Sequence, residues 1–193
     1  DRNVAALLLH LAQDAAAAVA AIAIFFYSGQ VCAAGSRLMV ERPVYDRVVE
    51  TLAAEAGKLK LGHGLAADTF MGPLVSAQQL ERVAGFVERA AAAGVDVTTC
   101  GAPPDGSLAG GFFHAPTILA NAGDEAEVTR EEIFGPVVVV QPFDTLDELK
   151  ARANATSFGL SAGVWTRDVK KAHATAAALQ AGTVWINTYG QFD

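Results

Sequence analysis

Cys32 and Cys100 are the two thiols of this 193-residue chain, and their settings separate them. Cys32 stands in Phe25-Phe26-Tyr27-Ser28-Gly29-Gln30-Val31-Cys32-Ala33-Ala34-Gly35-Ser36-Arg37, between an expected helix stop and an expected strand. The glycines and small side chains around it let a ligand come close, and exposed nucleophiles sit in such loops. A free thiol titrates near pH ~8.5 and is only a few per cent thiolate at neutral pH, so catalysis at Cys32 needs activation from its surroundings. The preceding helix presents its negative end here and gives no help. From position alone a nucleophile and a small buried hydrophobe both remain open at Cys32, whereas Cys100, at the end of a short strand, reads as buried. The two are too few for a disulfide framework and lack the paired spacing of a zinc site. No metal is expected, and a reducing, cytoplasmic compartment is.

Three other segments could carry chemistry. Arg130-Glu131-Glu132-Ile133-Phe134-Gly135-Pro136 joins two carboxylates to an aromatic ring through a Gly-Pro turn. Such a loop can hold hydroxyls and present a flat ring to a flat ligand, although adjacent carboxylates on a turn are usually just solvated. Gly62-His63-Gly64-Leu65-Ala66-Ala67 fits the letters of a dinucleotide fingerprint. It follows a helix and enters a long loop instead of joining a strand to a helix, so a surface turn is expected. Gln180-Ala181-Gly182-Thr183-Val184-Trp185-Ile186-Asn187 reads as a helix stop and a buried strand.

The elements that must hold these segments alternate. Residues 4–11 form a short apolar run expected as a strand, and Asp14 can cap an alanine-rich helix over residues 15–27 that Gly29 stops. Residues 36–41 alternate as a strand, and Pro43 opens a helix running to about residue 58. A loop over residues 62–73 precedes an amphipathic helix at 76–93, stopped by Gly94, and a short strand at 95–99. Strands are expected at 116–119 and 137–140, the latter closed by Pro142, with Asp144 capping a helix through residue 154. A strand at 161–165, a helix at 168–180 stopped by Gly182, and a strand at 183–187 complete the series. Strands apolar on both faces, alternating with helices, predict one α/β domain with a largely parallel sheet covered by helices on both faces, a three-layer arrangement.

Composition excludes several classes. With 52% hydrophobic and 18% charged residues the chain buries a core and is not disordered. A net charge of −7 and the absence of a basic cluster argue against a nucleic-acid partner. The longest uncharged apolar run, residues 15–26, is about half of the roughly 20 residues a membrane span needs, so no membrane association is expected.

Taken in order, the motifs narrow the reading. Gly29-Gln30-Val31-Cys32, Met71-Gly72-Pro73-Leu74-Val75-Ser76, Gly111-Phe112-Phe113-His114-Ala115-Pro116-Thr117, Glu131-Glu132-Ile133-Phe134-Gly135-Pro136, Asn154 with Phe158-Gly159-Leu160, and Ala181-Gly182-Thr183-Val184-Trp185-Ile186-Asn187 resemble the catalytic domain of the NAD(P)-dependent aldehyde dehydrogenase superfamily over essentially the whole chain. The resemblance implies an aldehyde substrate and NAD or NADP as cofactor. It assigns Cys32 as the nucleophile that adds to the carbonyl, gives a thiohemiacetal, passes a hydride to the nicotinamide and leaves a thioester for hydrolysis. Glu132 matches the glutamate that holds the nicotinamide ribose, and Phe134 the aromatic beside the nicotinamide. The closing Asn187-Thr188-Tyr189-Gly190-Gln191-Phe192-Asp193 is similar to the branch that oxidises aromatic and other bulky aldehydes.

The resemblance also sets expectations about what lies outside residues 1–193. The general-base glutamate, the nucleotide-binding domain with its oxyanion asparagine, and a C-terminal oligomerisation segment are expected beyond this chain. Alone it is then expected to be inactive, pairing as a homo-oligomer or docking with the nucleotide-binding domain. An acylating relative that delivers the thioester to coenzyme A, and a non-catalytic assembly module, are the alternative readings.

Overall fold

Strands buried on both faces need cover on both sides, and the helices provide it. The computed structural model describes residues 6–8 and 13–191. Among these, seven strands form one sheet in the order β3-β4-β5-β2-β1-β6-β7. They are β1 (Ala6–Leu8), β2 (Arg37–Glu41), β3 (Asp96–Thr99), β4 (Thr117–Ala120), β5 (Val137–Phe143), β6 (Ser161–Trp165) and β7 (Thr183–Ile186). Neighbours run parallel except β3, which pairs antiparallel with β4 at one edge. The helices are α1 (Gln13–Phe25), α2 (Tyr45–Ala56), α3 (Ala77–Ala92), α4 (Glu127–Arg130), α5 (Leu146–Asn154) and α6 (Val169–Ala178).

Side chains alternate across the sheet, so each face has its own core. Leu38, Val40, Ile118, Val138 and Val140 pack with Ile24 and Phe25 of α1 and with Val48 and Leu52 of α2. On the other face Leu119, Val137 and Val139 meet Val83, Phe86 and Ala90 of α3. Met39 and Val164 share that face with Leu149 and Ala153 of α5. The expected α/β class with helices on both faces of a largely parallel sheet is therefore observed. Among the described residues no helix is long and apolar enough to cross a membrane.

Several boundaries differ from expectation for local reasons. Of the apolar run at 4–11, Ala6–Leu8 is strand, and the rest lies outside the described residues. α1 already includes Gln13, which puts Asp14 inside the helix and not at its cap. Pro43 sits in a 3-10 turn, Arg42–Val44, and α2 begins only at Tyr45. Pro142 does not close β5, which continues to Phe143. β4 has ended at its Ala120–Val140 pairing, while Pro142 still pairs with Val40 of β2. The missing N–H of Pro142 thus faces a side with no strand to serve. Asp144 pairs with Arg42 at 2.5 Å, so Thr145 caps α5 in its place by accepting from the Glu148 N–H at 3.2 Å. α6 ends at Ala178, four residues before the expected stop at Gly182.

Candidate active site

The segments holding Cys32 and Glu132 lead into adjacent, parallel strands. Residues 29–36 enter β2 and residues 131–136 enter β5, with Arg37 opposite Val139. Both segments therefore meet at the N-terminal ends of the two strands, and their glycines let them touch. A Cβ on Gly29 would lie 2.0 Å from the Gly135 carbonyl oxygen, well inside any tolerable contact. Gly29 also has φ +67°, a conformation that glycine alone adopts without strain.

The Cys32 segment is fixed from several directions. α1 gives way to a 3-10 turn, Phe26–Gly29, in which Tyr27 and Ser28 have φ of 49° and 59°. Two consecutive left-handed non-glycine residues persist only where their surroundings enforce them. Here the Ser28 hydroxyl donates to the Gly72 carbonyl at 2.7 Å, and the Val75 N–H donates to the Gln30 side-chain oxygen at 2.9 Å. The Gly35 N–H returns to the Ala23 carbonyl of α1 at 3.2 Å, and the Tyr189 hydroxyl donates to the Ala33 carbonyl at 2.8 Å. Within this frame Ala33, Ala34 and Gly35 are buried and Cys32 is exposed. Cys100 is buried, and that burial pushes its thiol above the usual range.

The second segment is pinned by α3. Gln79 donates its side-chain amide to the carbonyls of Ile133 at 3.2 Å and Phe134 at 2.8 Å. Arg82, one helical turn further on, donates to the Glu132 carbonyl at 2.7 Å. Ile133 is buried as the plug of the loop, with Glu132 half-buried and Phe134 partly exposed on either side of it. Phe134 has φ +58°, a strained conformation for a non-glycine residue, and is 37% exposed. A half-buried carboxylate and a partly exposed ring on one braced loop suit a ligand that offers hydroxyls and a flat ring.

A cavity of about 380 Å³ opens beside the Cys32 segment. Val31 and Ala33, the two neighbours of Cys32, line it together with Ile22, Phe26 and Tyr189. Residues 62–67 lie in a loop, where the Thr69 side chain fills the space that a side chain at Gly62 would need. Among the described residues no group of three or more His, Cys, Asp or Glu side chains could hold a metal ion.

The aldehyde dehydrogenase family model matches residues 3–193. The chain belongs to the aldehyde dehydrogenase family. It is 42% identical over 168 residues to betaine aldehyde dehydrogenase of Bacillus subtilis, covering 86% of this chain and 34% of that protein. It is 45% identical over 174 residues to 4-trimethylaminobutyraldehyde dehydrogenase of Mus musculus, covering 88% of this chain and 35% of the relative. An NAD+ complex of the Bacillus cereus aldehyde dehydrogenase superposes with a TM-score of 0.91 at 41% identity, covering all of this chain and 39% of that one. The chain thus spans about a third of the length of these family members.

Sequence reasoning named Cys32, Glu132 and Phe134, and the structure brings their two segments into contact through Gly29 and Gly135. It missed Gln79, Arg82 and Tyr189, which act through backbone carbonyls. The polar pair at positions 79 and 82 of an amphipathic helix was a visible signal, but its targets lie 50 and 55 residues away.

Proposed function

We propose that this chain is the catalytic domain of an NAD(P)-dependent aldehyde dehydrogenase, with Cys32 as nucleophile and Glu132 and Phe134 as cofactor contacts. The single observation that carries the reading is the exposed Cys32 in a rigid segment that touches the Glu132–Phe134 loop. The carboxylate and ring of that loop fit a nicotinamide riboside, and NAD+ complexes among the structural neighbours support the choice. When bound, the nicotinamide supplies a two-electron acceptor for the aldehyde's hydrogen.

The work of this chain's own residues is covalent capture and orientation. The Cys32 thiolate adds to the carbonyl carbon, and the carbonyl π pair moves to oxygen as a C–S bond forms. The resulting thiohemiacetal holds the reacting carbon at one place, so alignment replaces random encounter. After oxidation, water attacks the thioester, the C–S bond breaks, and the acid leaves with Cys32 restored. Glu132 would accept hydrogen bonds from the ribose hydroxyls of a bound nicotinamide riboside, and Phe134 would offer it an aromatic face.

The cavity beside Val31, Ala33 and Tyr189 takes the aldehyde's side chain. At about 380 Å³ with apolar walls it suits aromatic or other bulky aldehydes. Aldehyde binding tests this reading without turnover. Millimolar benzaldehyde should slow iodoacetamide labelling of Cys32 and leave Cys100 unchanged, whereas equal labelling of Cys32 with and without aldehyde would contradict capture at this thiol.

A further inference from the structure

Tyr189 sits in a socket that aims its hydroxyl at the backbone beside Cys32. Its ring stacks on Trp165 at 5.9 Å with an interplanar angle of 18° and tilts against Trp185 at 4.7 Å. The floor of the socket is Gly163 of β6, where a Cβ would lie 2.6 Å from both the Trp165 and Tyr189 rings. Only a glycine there lets the tyrosine ring lie against the strand. So confined, the hydroxyl donates to the Ala33 carbonyl at 2.8 Å, across 156 residues of sequence. Ala33 is buried and directly follows Cys32, so this bond fixes the chain on one side of the thiol. Ser28, Gln30 and Gly35 hold the remainder of the segment through other partners.

We infer that Tyr189 is a positioning residue for Cys32, acting through the Ala33 carbonyl, with Gly163 as the space that makes the contact possible. The inference rests on the reading of Cys32 as nucleophile. The hydroxyl does two things at once. It restrains the peptide unit after Cys32, and it satisfies the backbone carbonyl of the buried Ala33. Tyr189 also lines the apolar cavity with Ala33, so one side chain sets both the thiol's backbone and the wall that a substrate meets.

Tyr189→Phe removes the hydroxyl and keeps the ring in its socket, and Gly163→Ala crowds the Tyr189 and Trp165 rings and leaves the tyrosine itself unsubstituted. The 193-residue chain is followed by amide hydrogen exchange over residues 32–36 and by the pH profile of Cys32 alkylation, with Cys100 as internal reference. Loss of one neutral hydrogen bond predicts exchange of that segment about 3- to 10-fold faster in Tyr189→Phe, with strands β4 and β5 unchanged. Labelling of Cys32 should slow by about 3-fold near neutral pH, with Cys100 unaffected. Gly163→Ala should reproduce both changes. Unchanged exchange and an unchanged profile in Tyr189→Phe overturn the inference. So does faster exchange spread over the whole sheet with a lower melting temperature, which marks a packing role. If Cys32 proves not to capture aldehydes, the proposed function fails, while the exchange result still decides whether Tyr189 holds Ala33.

Discussion

Gly29 stands against the carbonyl oxygen of Gly135 so closely that a Cβ at Gly29 would be 2.0 Å from it. This contact joins the Cys32 segment to the loop of Glu132 and Phe134, and any side chain at Gly29 forces the two apart. Gly29→Ala pays about 1–2 kcal/mol for the left-handed backbone alone, with the carbonyl overlap added. Its melting temperature should fall by at least about 5 °C, measured by circular dichroism. An unchanged melting temperature would show that the two loops do not depend on this approach.

The thiols should differ in reactivity. Cys32 is exposed, while Cys100 is buried with its thiol pushed up by desolvation. Brief iodoacetamide treatment of the folded chain, followed by peptide mass mapping, should place the label on Cys32. Label mainly on Cys100 would remove Cys32 from consideration as the nucleophile.

Much of this site could be read from the sequence because its parts are local. Cys32 between glycines, and an acidic pair ahead of Phe-Gly-Pro, each announce themselves within a dozen residues. The sheet was legible for the same reason, since residues 137–140 are a continuous valine run, and the helices expected from residues 76 and 168 do start there, with Ser76 and Asp168 as their caps. What escaped was long-range pairing. Asp144 has the side chain of a cap but answers Arg42, 102 residues away, and Tyr189 answers a carbonyl 156 residues away. Pro142 stayed within a strand because the neighbouring strand stops at Ala120, and nothing near Pro142 records that.

Glu132 should matter after capture and not during it. Its backbone carbonyl is held by Arg82, so Glu132→Gln removes the charge and keeps that brace on the loop. In the active enzyme, loss of one charged hydrogen bond predicts single-turnover oxidation about 10- to 100-fold slower, with aldehyde protection of Cys32 retained. Unaltered single-turnover oxidation in Glu132→Gln would take this residue out of the site.

Alkaline stability carries a signature of Tyr189. Burial pushes its hydroxyl up to about 12 from an ordinary value of 10.0. Between these values the unfolded chain has released the proton and the folded chain keeps it, so the unfolded state binds fewer protons and stability falls as pH rises. The contribution is complete below pH 10 and lost as pH rises through about 12. Urea midpoints taken across that range should fall less steeply in Tyr189→Phe than in the parent chain. Parallel slopes would mean that Tyr189 titrates as it does in the unfolded chain.

The central claim is that Cys32 carries the oxidation, and the direct measurement is aldehyde-dependent NADH formation. It can be made in a chimera in which this chain replaces the matching segment of the Bacillus cereus relative, 41% identical with a TM-score of 0.91. With benzaldehyde and NAD+, the parent chimera and Cys100→Ala should turn over, and Cys32→Ala should fall by at least about 10³-fold. Sustained NADH formation by Cys32→Ala at the parent's rate would contradict the account.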